Sequence, residues 1–293
     1  MRRFAPVIVR VATACICLVA LPMPANAQTR TAESVLAAAR AALGGEAKIT
    51  AVKTFIATGR TRQVRGDNLV PIEFEIQAEM PDKYSRHDEF PAQEAGPVTA
   101  GFVGDQLVLI PRPVPPPPRP GAPAPPPAAM EAQLRARMMQ AKQDFTRLLL
   151  GMFAGGTPSF PLTYAYVAQA EAPQGKADVI DVKGPNNFTA RLFIDSATSL
   201  PIMLSWTPPA PPQRPGGPPT PVAPVAPAAP AAPAAPAPPE QRMFFADYKD
   251  VDGLKLPFRI RRAAGSETTE ETTFDRYRIN AKVDPRRFDT GTK

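Results

Sequence analysis

Two cysteines, one histidine and one tryptophan occur in 293 residues, and each scarcity excludes something. Cys15 and Cys17 both fall in an N-terminal apolar run, Val11 to Leu21, which follows the basic pair Arg2 and Arg3 and ends in Ala25-Asn26-Ala27. That pattern predicts a signal peptide over residues 1–27, cleaved after Ala27. A retained membrane anchor would need about 20 apolar residues, and this run is shorter and broken by Pro22 and Pro24. A lipidated Cys15 is disfavoured because "VATAC" lacks the usual leucine. The mature chain, expected in the periplasm, then has neither disulfide nor thiolate, so thiol chemistry is excluded and an apolar core must hold the fold.

The single histidine, His87, sits in the polar stretch "SRHDEF". One histidine without cysteine makes no zinc site unless carboxylates stand at matching spacing, and no HExxH occurs. A serine triad would have to use His87, and no G-x-S-x-G elbow supports one. His87 therefore reads as a surface strand residue. "YKDVDG" resembles part of a calcium loop, but Tyr248 and Arg259 would occupy its first and twelfth ligand positions. Asp252-Gly253 reads better as a tight turn. "LGG" and "FAGG" lack the Lys and Ser/Thr of phosphate loops. No catalytic residue, metal or cofactor is expected.

Charge says little. The whole chain carries +7, and loss of the three leader arginines leaves +4 with no basic run of five. This suits a solvated surface, not nucleic acid.

Proline is what the chain has in excess, at 40 residues. Most fall in two segments, at about 111–129 and 208–240, that favour solvated polyproline II. They read as excursions from one domain covering 28–293, because "LPIMLSW" and "RMFFADY" flank the second and both look like strands. A spacer, or a ligand for a proline-reading partner, is the alternative.

Elsewhere the patterns are regular. "TAESVLAAARAALGG" predicts a helix capped by Thr31 and stopped at Gly44-Gly45. In "PIEFEIQAEM" the residues Ile72, Phe74, Ile76, Ala78 and Met80 alternate with Glu73, Glu75, Gln77 and Glu79. That period predicts a strand with one apolar and one solvated face. A second helix is expected from about Met130 to Phe153, with Leu134, Met138, Ala141, Phe145, Leu148, Leu149 and Met152 on one stripe. The methionines Met138, Met139 and Met152 suit either core filling or an adaptable apolar surface. Four or five strands precede this helix and six or seven follow it. The class is α+β, a large antiparallel sheet with both helices on its concave side.

The order of these elements, with "GFVGDQLVLI", "QDFTRLLLGMF", "IDSATSLP" and "DYKDVDGLKLPFRI", resembles the LolA/LolB-like superfamily of lipoprotein-sorting proteins. The resemblance implies an incomplete antiparallel β-barrel around helices and an apolar cavity for lipid or lipoprotein acyl chains. It implies a non-catalytic carrier that deals with membrane-bound donor and acceptor proteins, here as a monomer. It also implies an early-strand arginine that holds the closed state, for which Arg60, Arg62 and Arg65 compete. The expected cavity residues are Phe74, Ile76, Met138, Phe145, Leu149, Met152, Leu256, Phe258 and Ile260. In "LKLPFRI" alternation puts Leu254, Leu256, Phe258 and Ile260 on one face. A partner-binding or envelope-stress sensor domain on the same fold is the alternative function.

Overall fold

The computed structural model describes residues 30–66, 68–91, 96–112, 126–172, 175–209 and 238–291. The expected leader and most of both proline segments lie outside these residues. Twelve strands form one sheet, every neighbouring pair antiparallel: β1 (Thr54–Arg65), β2 (Asn68–Glu79), β3 (Lys83–Glu89), β4 (Val98–Val103), β5 (Gln106–Ile110), β6 (Thr163–Ala172), β7 (Gly175–Gly184), β8 (Phe188–Asp195), β9 (Pro201–Trp206), β10 (Gln241–Val251), β11 (Leu254–Ala264) and β12 (Glu267–Ile279). Their order is β5-β4-β3-β2-β1-β12-β11-β10-β9-β8-β7-β6, and the edges β5 and β6 do not pair with each other. The result is an open, incomplete barrel.

Helices α1 (Ala32–Ala42) and α3 (Pro127–Phe153) pack on the concave side, as their stripes require. Thr31 and Ser34 form a reciprocal capping box at the start of α1, which buries Val35, Leu36 and Ala39. At its end Gly44 has φ +128, and a Cβ there would lie 2.4 Å from the Gly253 carbonyl oxygen. The helix thus stops against the Asp252-Gly253 turn, and Lys255 N–H donates to the Leu43 carbonyl at 2.8 Å. α3 starts three residues earlier than its periodicity predicts, because proline fits the first turn of a helix. The proline excursion expected at about 111–129 is shorter by those residues. Short helix α2 (Glu46–Thr50) was not foreseen.

On the concave side Phe145 of α3 lies 4.6 Å from Tyr84 and 5.8 Å from Phe102, centroid to centroid. Such pairs add about 0.5–1.5 kcal/mol each beyond burial. Burial pushes the Tyr84 hydroxyl pKa up to about 12. Strands β9 and β10 pair directly, Trp206 opposite Gln241 and Met203 opposite Phe244. The second proline segment therefore leaves and returns between neighbours.

The convex face departs from the expected alternation in two places. On β2 Gln77 is buried, and Ser85, Thr99 and Val108 beside it are too. The C-terminal segment covers them: Asp284 N–H donates to Gln77 Oε1 at 2.7 Å, and Arg287 reaches Glu75 at 3.3 Å. Glu75 is half-buried for the same reason. On β7 to β10 an in-register row, Val179, Phe193, Met203 and Phe244, makes the outer surface apolar. Arg261 ends the row, its guanidinium 4.3 Å from the Phe244 ring.

Candidate functional site

Two ends of the concave surface differ in chemistry. One is a chain of polar contacts. Arg86 donates to Asp88 at 2.7 Å and to Thr61 at 3.1 Å, and the Thr61 and Thr272 hydroxyls are 2.9 Å apart. Thr272 donates to Glu270 at 3.1 Å, Arg262 lies 3.7 Å from Glu270 and 4.0 Å from Asp144, and Asp144 accepts from Arg147 at 2.9 Å. Arg147 is buried between Trp206 and Phe188, 4.3 and 5.3 Å from their ring centroids. Burial lowers its pKa and outweighs the opposing pull of Asp144. Charged side chains therefore tie α3 to the sheet: Arg262 on β11 through Asp144, Arg147 through the Phe188 and Trp206 rings, and Lys142, which donates to Asp105 of the β4–β5 turn at 2.6 Å. Arg60 instead pairs with Asp275 at an exposed site, Arg65 donates to Gln63, and Arg62 is exposed.

The other end is an apolar mouth. A cavity of about 380 Å³ opens between α2 and the end of α3, walled by Ile49, Val52, Met80, Leu149 and Phe153. Arg40, Glu46 and Lys53 stand on its rim, with Gly155 and Gly156 of the loop after α3. Backbone ties hold this end together. Ala154 takes a left-handed φ of +48 as the helix terminates, and Arg40 Nε donates to its carbonyl at 3.3 Å. The Tyr248 hydroxyl hydrogen is shared between the Gly151 and Pro201 carbonyls, at 2.9 and 2.8 Å. Asp247 has φ +56 and faces outward to Arg259 at 3.1 Å, which turns Tyr248 inward. Burial pushes the Tyr248 hydroxyl pKa far up.

These contacts explain "DYKDVDGLKLPFRI" as a stretch that docks both helices. "IDSATSLP" is likewise a turn. Asp195 Oδ1 accepts from Thr198 Oγ1 and Thr198 N at 2.7 Å each and from Ala197 N at 3.2 Å, which holds its carboxyl below the usual range.

Of the residues expected to line a cavity, Phe74, Ile76, Met138, Phe145, Leu149, Met152, Leu256 and Ile260 are buried in one cluster. Leu149 also walls the mouth. Phe258 is half-buried, its ring 5.2 Å from that of Tyr277, with Lys249 Nζ 4.5 Å from its centroid. Sequence reasoning missed Ile49, Val52, Met80 and Phe153 as one wall, since they come from three separate stretches. His87 is not a free surface residue. Its Nδ1 lies 2.8 Å from Thr99 Oγ1 and its Nε2 3.4 Å from Glu89, beside a polar depression on the convex face that also holds Glu73, Glu75 and Arg287. Among the described residues no group of three or more His, Cys, Asp or Glu is placed to hold a metal, and no helix is long and apolar enough to cross a membrane.

No protein-family model and no curated protein matches the sequence. Solved structures do resemble it. A LolA superfamily protein from Nitrosomonas europaea aligns with a TM-score of 0.50 at 10% identity, covering 89% of this chain and 98% of that one. A domain named for outer membrane lipoprotein sorting, from Vibrio parahaemolyticus, aligns at 0.46 and 8% identity over the same shares. A DUF1329 family protein from Desulfovibrio piger aligns at 0.45 and 7% identity, again over 89% and 98%. Identity this low speaks to architecture alone, and the first alignment carries it: the chain has the fold of the LolA superfamily, an open antiparallel barrel around helices.

Proposed function

We propose that the protein is a non-catalytic periplasmic carrier that holds lipid or lipoprotein acyl chains on the concave side of its open barrel. The observation that carries this reading is the apolar mouth, open to solvent and walled by Ile49, Val52, Met80, Leu149 and Phe153. Its volume falls within the range of small-ligand sites. The leader read at residues 1–27 supports export, and the fold shared with a LolA superfamily protein supports an apolar-ligand role. In this reading Ile49, Val52, Met80, Leu149 and Phe153 are the wall that chains meet as they enter beneath the end of α3. Met80 adds a thioether that adapts to varied apolar shapes. The protein works as a monomer, passing cargo between membrane-bound donor and acceptor proteins.

The test is a fluorescent fatty-acyl probe titrated into the parent protein and into Ile49→Trp. Ile49 is only half-buried, so the indole fills the mouth without displacing core. The parent should bind saturably, and the variant should lose at least tenfold in affinity with its fold intact. A parent that takes up no probe contradicts the proposal.

A further inference from the structure

The rim of the mouth carries an excess of positive charge. The Lys53 backbone is pinned on both sides: its N–H donates to Asn280 Oδ1 and its carbonyl accepts from Met80 N, each at 2.7 Å. Its ammonium reaches only the Thr50 carbonyl, at 3.4 Å, and has no carboxylate partner among the described residues. Arg40 donates Nε to Ala154 and pairs Nη1 with Glu46 at 3.3 Å. Its Nη2 is left beside Gly155, where a Cβ would stand 3.1 Å away, and Arg40 and Gly155 both line the cavity. Among the described residues Glu46 is the one acidic residue of this rim, and Arg40 already occupies it.

An apolar cavity with cations at its lip complements an amphiphile whose head is negative. The size narrows the ligand further. About 380 Å³ is at the low end of small-ligand sites, which suits one acyl chain better than the several chains of a diacyl or triacyl lipid. We infer that the mouth takes a single-chain amphiphile with an anionic head, its chain against Ile49, Val52, Leu149 and Phe153 and its head between Lys53 and Arg40. The inference rests on the carrier reading and specifies its ligand. The head is a carboxylate, as in a fatty acid, or a phosphate, as in a lysophospholipid. Both satisfy the same two cations.

The experiment displaces the fluorescent acyl probe with palmitate, hexadecanol, hexadecyltrimethylammonium and palmitoyl-lysophosphatidate, from the parent and from Lys53→Gln. Palmitate should bind with one molecule per chain and about fivefold more tightly than hexadecanol, the size an exposed ion pair supports. Lys53→Gln should reduce that preference, Arg40 remaining in place, and leave hexadecanol unchanged, since only the ammonium is lost. The tighter of palmitate and lysophosphatidate identifies the head, and either supports the inference. Equal affinity for anionic and neutral ligands, an equal loss for all of them in Lys53→Gln, or two or more chains per protein would overturn it while leaving the carrier reading intact. Uptake of neither the probe nor any of the four ligands overturns both.

Discussion

The two ends of the concave surface are built from opposite materials. At one, six charged side chains and two threonines form a continuous chain from β3 to α3, Arg147 buried in it. At the other, five apolar side chains face an opening, and the Tyr248 hydroxyl and the exposed Arg40–Glu46 pair, with Arg40 also on the Ala154 carbonyl, tie the elements together. A buried guanidinium fixes position, because moving it away from its carboxylate exposes an unpaired charge to a poor solvent. Apolar walls fix nothing so sharply, since dispersion contacts can be exchanged for those of a ligand. The difference assigns anchoring to Asp144 and Arg147 of α3 and binding to Leu149 and Phe153 at its end.

Breaking the anchor should give the largest effect. Asp144→Ala strands the buried Arg147 and removes a partner of Arg262, and should cost about 3 kcal/mol in urea unfolding. A cost below about 1 kcal/mol, the value of an exposed pair, would erase the contrast between the ends.

Tyr248→Phe should cost about 1 kcal/mol at neutral pH by removing the tie to Gly151 and Pro201. It should also change the alkaline limb. Burial raises the hydroxyl pKa of Tyr248 and Tyr277 in the fold, while the unfolded chain ionises them near the ordinary value of about 10. Their contribution is complete below that pH and is lost as pH rises beyond it. The parent should therefore lose stability above about pH 10, and the variant should lose it less steeply. Parallel curves would show that Tyr248 is not buried as described.

At the mouth the same comparison predicts little. Ile49→Trp should change stability by no more than about 0.5 kcal/mol, the range for a surface substitution. The smallest effect is expected from joining Pro209 to Pro238 by a short turn in place of residues 210–237. Trp206 and Gln241 already pair, and closure entropy depends weakly on loop length, so the thermal midpoint should stay within a few degrees. Loss of cooperative unfolding would mean that β9 and β10 are not neighbours.

Much of this fold was legible because one-sided burial imposes a period. Ile72, Phe74, Ile76 and Ala78 alternate, Asp252-Gly253 marks its hairpin, and the stripe from Met138 to Met152 marks α3. What stayed hidden has no period. The α2 helix spans five residues, too few to show a stripe. Gln77 is buried by Asp284, 207 positions away, and nothing local on β2 announces that cover. The mouth is assembled from a helix end, a loop, a strand end and α3, so its members share no pattern. Periodicity selected Phe74, Leu256 and Ile260 because they leave water. It does not separate the packed core from the wall of a cavity, and it cannot see the rim cations at all.

The most direct test of the central claim is native mass spectrometry of the protein recovered from the periplasm of the cell that makes it. The account predicts an added mass matching one acyl amphiphile per chain, lost in Ile49→Trp and regained when palmitate is supplied to lipid-stripped parent protein. A parent that arrives bare and takes up no acyl ligand, while folded and monomeric, would contradict it.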